Sequence, residues 1–176
     1  MEIQIIVPWG KDKNLGRTYN RLMKTVDDWV CFLDHDVLML NPNWYHMCRS
    51  AVKKVGHRAG WITGVTNAIA NPYQLRTGAP KEPDILKHMH FAKKLYNKHG
   101  EKLELLSNDV CPHLLSGLMI LTHKGAWEAT GGFMDGFLGV DNEYHKLLIK
   151  NNYKVYVMPG LYMYHLYHNK KLWNKY

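Results

Sequence analysis

At 176 residues, 46% of them hydrophobic and 22% charged, the chain is long enough for one domain with a sizeable core and too apolar for a disordered segment. Lys and Arg outnumber Asp and Glu by 23 to 15, a formal net charge of +8 that favours phosphates, nucleic acid or anionic membranes as partners. No apolar run reaches membrane-spanning length, and Cys31, Cys48 and Cys111 are isolated, odd in number and without zinc-ligand spacing, which argues against a disulfide framework and fits a reducing compartment.

The N-terminus, Met1-Glu2-Ile3-Gln4, lacks a basic segment followed by a long apolar one, so a cytoplasmic location is expected. Residues 3 to 7 are a β-branched run stopped by Pro8, as in a buried first strand. Asn14 can cap a helix carrying Leu15, Tyr19, Leu22, Met23 and Val26 at helical spacing. The run Trp29 to Leu33 predicts a second buried strand that delivers Asp34-His35-Asp36 at its C-terminal end, where ligands of open α/β sheets collect. Asn41-Pro42 opens a helix with the apolar stripe Trp44, Met47, Cys48, Ala51, Val52 and Val55. Trp61 to Val65 returns as a strand. The Gly-, Pro- and Asn-rich stretch 67 to 83 reads as a long functional loop, and Pro83 begins a helix to about Lys98. Leu114 to Thr122 predicts a strand, followed by a short helix, a turn at Gly131-Gly132 and a last helix from about Asn142 to Lys150. Tyr153 to Met158 is a final strand broken by Pro159-Gly160, before Leu161 to Tyr164 leads into His165. Alternating helices and strands predict a single α/β domain, its central sheet mostly parallel and covered by helices on both faces.

Three segments carry chemistry. Two carboxylates one residue apart at a strand end, Asp34 and Asp36, can face one ligand and hold a hard divalent cation, though so short a spacing also arises by chance. Asp141-Asn142-Glu143 opens a helix after the glycine turn. Acids there suit the helix dipole, and Asp141 is also placed to act as a general base. Tyr162-Met-Tyr-His165-Leu-Tyr-His168 brings a histidine just beyond a strand, able to complete a metal shell and to favour Mn²⁺ over Mg²⁺.

In this order the segments resemble the GT-A glycosyltransferases, specifically family-2-like enzymes with the pattern Asp-x-Asp, Gly-Gly-Phe, acidic pair, late histidine, and the resemblance covers most of the chain. It implies a single-domain GT-A-like fold and a nucleoside-diphosphate sugar as donor. A hydroxyl of a glycan or glycoprotein would be the acceptor and a divalent cation, Mn²⁺ before Mg²⁺, the cofactor. It implies Asp36 as metal ligand with His165, Asp34 on the metal, ribose or sugar, Asp141 as base of an inverting transfer, and Gly132 and Phe133 in the loop beside the acceptor, with Glu143 in the acidic motif. The chain departs from the family in that one strand and one helix precede Asp34, where the family has more. Pro8, Trp9, Lys13, Asn14 and Arg17 are the residues available to meet the nucleotide: Trp9 to stack on a base or pack beneath its loop, Lys13 and Arg17 to meet phosphate, Asn14 to bond the base or cap its helix. Asn67, Asn71, Tyr73, Ser116 and Gly117 are candidate sugar or acceptor contacts, or turn formers. The compact layout resembles small viral and bacterial members.

Two other readings share these features. A nucleotidyltransferase also joins carboxylates, a divalent ion and a nucleotide, and would want a Gly-rich basic loop that Pro8-Trp9-Gly10-Lys11 only weakly resembles. A nucleic-acid-binding protein needs clustered basic residues, whereas Lys53-Lys54, Lys93-Lys94 and Lys170-Lys171 are scattered, so nucleic acid is not the expected partner.

Overall fold

The computed structural model describes residues 2–106 and 114–166; Cys111, His168 and Lys170-Lys171 lie outside them. In chain order the elements are β1 (Ile3–Ile6), α1 (Leu15–Met23), β2 (Trp29–Leu33), β3 (Val37–Met39), α2 (Trp44–Val55), β4 (Ala59–Thr66) and α3 (Ile85–His99). There follow β5 (Glu104–Leu106), β6 (Met119–His123), α4 (Lys124–Thr130), α5 (Val140–Lys150) and β7 (Lys154–His165). None of the described helices is long and apolar enough to cross a membrane.

The strands form one open sheet in the order β1-β2-β6-β4-β7-β3, with β5 also on β7. It is mixed rather than mostly parallel. β1/β2 and β4/β7 run parallel, while β6 runs against both β2 and β4, and β3 and β5 run against β7. Apolar pattern cannot reveal direction: a central strand buried on both faces has the same composition whichever way it points. Helices cover both faces, as expected. Val30 and Phe32 of β2 join Tyr19, Met23, Tyr144 and Leu148 of α1 and α5 in one core. Trp29, Cys31 and Leu33 join Met47, Cys48, Ala51 and Val52 of α2 in the other, by the two-residue alternation of a strand. Cys31 and Cys48 are buried free thiols.

Several boundaries differ from expectation for local reasons. α1 is capped by Asn14, whose side chain accepts from Arg17 N at 2.8 Å, but it ends at Met23, leaving Val26 beyond it. Asn41 is not the cap of α2; its buried amide donates to Gly160 O and accepts from Tyr162 N. Asp84 caps α3 by accepting from Leu86 N and Lys87 N, so Pro83 lies before the helix. Only the second half of the run 114–122 is strand, and α5 starts at Val140, ahead of Asn142. β7 continues through Pro159-Gly160 because the ladder is irregular there: Val157 pairs Thr63 and Tyr162 pairs Val65, so the proline falls where no regular donor is needed.

The start of α1 is knitted to the loop before α5. Gly16 N donates to Gly136 O at 3.1 Å, Gly136 N donates to Asn14 Oδ1 at 3.0 Å, and a Cβ on Gly16 would lie 1.7 Å from the Met134 carbonyl oxygen. Gly16→Ala should therefore destabilise the fold by about 1–3 kcal/mol, seen as a lower urea midpoint with unchanged slope.

Candidate functional site

A cleft of about 610 Å³ opens beyond the C-terminal end of β2. β1 feeds it through Pro8–Asn14, β2 through Asp34–Asp36, β7 through His165 and α5 through Asp141. Parallel β1 and β2 end on the same edge, so both following loops meet there.

Asp34, Asp36 and His165 form one group, with a candidate ligand atom from each within 4.8 Å of the others. His165 donates Nδ1–H to Ala68 O at 2.8 Å, because a carbonyl can only accept. That bond leaves the Nε2 lone pair turned towards Asp36 Oδ2, 3.4 Å away. An imidazole oriented through its other nitrogen is the usual arrangement of a metal-binding histidine. Two carboxylates and one imidazole make a set that could hold a divalent ion. Asp34 is strained as an anion: burial first, then Asp36, push its carboxyl up to about 6, Asp141 adding to the effect and His165 and His35 partly opposing it. Burial, with Asp34 and Asp141 nearby, also keeps the Tyr19 hydroxyl protonated.

Asp141, in the first turn of α5, accepts from Gly117 N at 2.7 Å through Oδ2 and from Asn142 N at 2.9 Å through Oδ1. The segment that meets it is not strand and is held by side chains. Gln74 bonds both backbone groups of Ser116, Asn142 donates to Leu115 O, His145 Nδ1 accepts from Leu115 N, and Asn71 donates to Leu114 O. Gln74 and His145 are buried polar residues in otherwise apolar settings, and nothing in their local sequence marks them as supports of the site.

Of the residues singled out from sequence, Pro8, Trp9, Lys13, Asn14, Asp34, Asp36, Ser116, Gly117, Asp141 and His165 all line the cleft. Trp9 is 70% exposed, so it does not pack beneath its loop. Lys13 adopts a left-handed backbone with φ of 50°, uncommon for lysine. The Asn14 side-chain oxygen is committed to Arg17 N and Gly136 N. Arg17 lies outside the cleft, paired with Asp12 at 3.5 Å and Asp135 at 3.1 Å in an adjoining hollow of about 380 Å³ that also holds Lys11 and Arg21.

Five other candidates are not on the cleft lining, and each has structural work in the fold. Asn67 Oδ1 accepts from His165 N at 2.8 Å and its Nδ2 donates to His165 O at 3.1 Å, clamping the backbone of the histidine. If the Asp34, Asp36 and His165 group holds an ion, Asn67→Ala should lower affinity for it about 10- to 100-fold, read by direct titration with Mn²⁺, the loss typical of removing a support behind a ligand. Asn71 closes its own turn by accepting from Tyr73 N and Gln74 N. Gly132, with φ of 88°, passes so close to Asn20 and Trp127 that a Cβ would lie 2.7 Å from Asn20 Oδ1. Phe133 is buried against Tyr19 and Tyr144, its backbone held at both N and O by Asn20. Glu143 pairs with Lys146 one turn on. What the turn does bring to the cleft is Phe137 and Leu138, 61% and 82% exposed, with Ile69 and Ala70 also on the lining. Their use depends on where loops fold, which no local pattern encodes.

No family model matches the chain, and no curated protein matches it.

Proposed function

We propose that this chain is a metal-dependent glycosyltransferase that moves a sugar from a nucleoside-diphosphate donor to a hydroxyl of a glycan or glycoprotein. The observation that supports it best is that a two-carboxylate, one-imidazole group and a separate, backbone-oriented carboxylate, Asp141, share one cleft with an exposed tryptophan and a lysine. The resemblance of the same segments to GT-A enzymes points the same way.

Asp34, Asp36 and His165 would hold the cation, Mn²⁺ before Mg²⁺ because one donor is an imidazole. When bound, the ion would supply positive charge to the diphosphate as it leaves. Trp9 offers a face for the base, and Lys13 a charge for phosphate. The two N–H groups on Asp141 orient its carboxylate without using all its lone pairs, so an acceptor hydroxyl can still give it a proton as the new glycosidic bond forms. A single displacement of this kind inverts the anomeric carbon. Ser116, Gly117, Phe137 and Leu138 are then the surfaces nearest the acceptor.

The test is thermal unfolding of wild type and Asp36→Ala against a panel of nucleoside diphosphates and sugar nucleotides, with Mn²⁺, Mg²⁺ or chelator. One nucleotide should raise the midpoint only with metal and only in the wild type, since a ligand stabilises the state it binds. Failure of every nucleotide, together with salt-sensitive binding of RNA or DNA, would overturn the reading in favour of a nucleic-acid partner.

A further inference from the structure

We propose that Asp28, His57 and His123 form a second metal site, suited to a zinc-class cation, at the end of β2 opposite the cleft. A candidate ligand atom from each lies within 4.8 Å of the others. The backbone converges there: Asp28 immediately precedes β2, His57 is in the tight 56–58 turn before β4, and His123 closes β6 opposite Trp29 in the antiparallel ladder. Lys124 N donates to Asp28 O at 2.8 Å, holding the β6 end against the β2 start. His57 Nε2 is 2.8 Å from Asp28 Oδ1.

His123 carries the argument. It is only 2% exposed, its Nδ1 accepts from Ala126 N at 3.2 Å, and its buried Nε2, which carries the ring proton in that state, makes no hydrogen bond of good geometry among the described residues, although the His57 and Ala59 backbone acts on the ring. Buried ring nitrogens in native proteins are normally partnered, and one that is not asks for an ion or another explanation. The ring is held edge-on to His57, centroids 4.8 Å apart, and tilted against Trp29, also at 4.8 Å. Two imidazoles and one carboxylate are the donors that zinc-class ions take in a four-coordinate shell, with water completing it on the exposed side of Asp28 and His57, whereas magnesium and calcium prefer oxygen. Coordination through Nε2 of His123 moves the ring proton to Nδ1, so the bond from Ala126 N is given up and the ring has to turn away from that N–H, a cost the bound ion must exceed. In His57 the proton now shared with Asp28 moves to the other ring nitrogen.

Asp28 and Asp34 are six residues apart along extended chain, roughly 20 Å at about 3.3 Å per residue, so the two sites can be tested separately. An ion here would join the starts of β2 and β4 to the β6–α4 junction, a structural role.

The full untagged chain is stripped with chelator, dialysed against Zn²⁺ or Co²⁺, and assayed for metal content, for the visible spectrum of the cobalt form and for the metal-dependent rise in unfolding temperature. His57→Ala is the main variant because the side chain is exposed and its loss leaves the core intact; Asp28→Asn is the second. The expected result is that each removes one equivalent of metal, the low-coordinate cobalt absorption and most of the thermal gain, and that Asp36→Ala removes a different equivalent. A wild type that binds a single equivalent, lost with His57→Ala and kept with Asp36→Ala, supports this site and counts against the cleft reading. Unchanged metal content and cobalt spectrum in both His57→Ala and Asp28→Asn would overturn the proposal.

Discussion

Asp141→Asn should lower turnover of the proposed transfer by roughly 10²- to 10⁴-fold while leaving donor affinity close to wild type, the range expected when a general base is removed. The substitution is close to isosteric. Its remaining carbonyl oxygen can still accept from Gly117 N, so the 114–118 segment keeps its main anchor, and the loss is one bond to Asn142 N together with the proton-accepting charge. The check is kcat alongside donor binding measured by calorimetry on the same preparation. Equal falls in kcat and affinity would indicate a collapsed cleft, and an unchanged kcat would remove Asp141 from the mechanism.

Asp34→Asn should make the metal-free protein more stable at pH 8, by about 1–3 kcal/mol, while abolishing the proposed metal-dependent binding of nucleotide. Because the folded carboxyl titrates at about 6 and the free side chain at 3.8, the folded state holds the proton more tightly, and stability falls as pH rises between those values. Above about pH 6 the whole penalty is present; below about pH 4 it is gone. The advantage of the Asn variant should therefore be largest at pH 8 and fade towards pH 4, when unfolding is followed in chelator. With Mn²⁺ present the wild type should recover the difference and the variant should not. A variant no more stable than wild type at pH 8 would mean that the buried carboxylate is already neutralised by its neighbours.

The parts of the fold legible in the sequence are those where composition and period agree: the buried runs of β2 and β4, and the helical stripes of α1 and α2; β1 is a strand as expected, but it lies at the sheet edge with Gln4 and Ile5 exposed rather than buried. β3 and β5 are three residues each, too short for an alternation to register. The continuity of β7 across Pro159-Gly160 depends on partners in β4 that local propensity cannot see. The site divides similarly. That Asp34, Asp36, Asp141 and His165 meet at one cleft can be anticipated because charged residues beside apolar strands and helix starts are conspicuous. The places of Asn67 and Phe133 cannot be read: an amide that could bond a sugar and one that pairs with a histidine backbone look alike in one dimension, as do an aromatic ring in a cleft and one in a core. Gln74 and His145 are invisible, and Asn41 looks like a helix cap, for the opposite reason, since a buried polar residue reveals itself only through partners far along the chain.

The knot between Asn14, Gly16 and Gly136 has a bearing on how such a chain could change under selection. The wall that carries Trp9 and Lys13 and the wall that carries Phe137 and Leu138 share one backbone–backbone hydrogen bond, one bond from Gly136 N to the Asn14 side chain, and a contact with no room for one extra carbon. They are not independent modules. A loop insertion or a drift in residues 8–14 would displace the facing wall as well, so altered preference on one side of the cleft should arise together with compensating substitutions on the other.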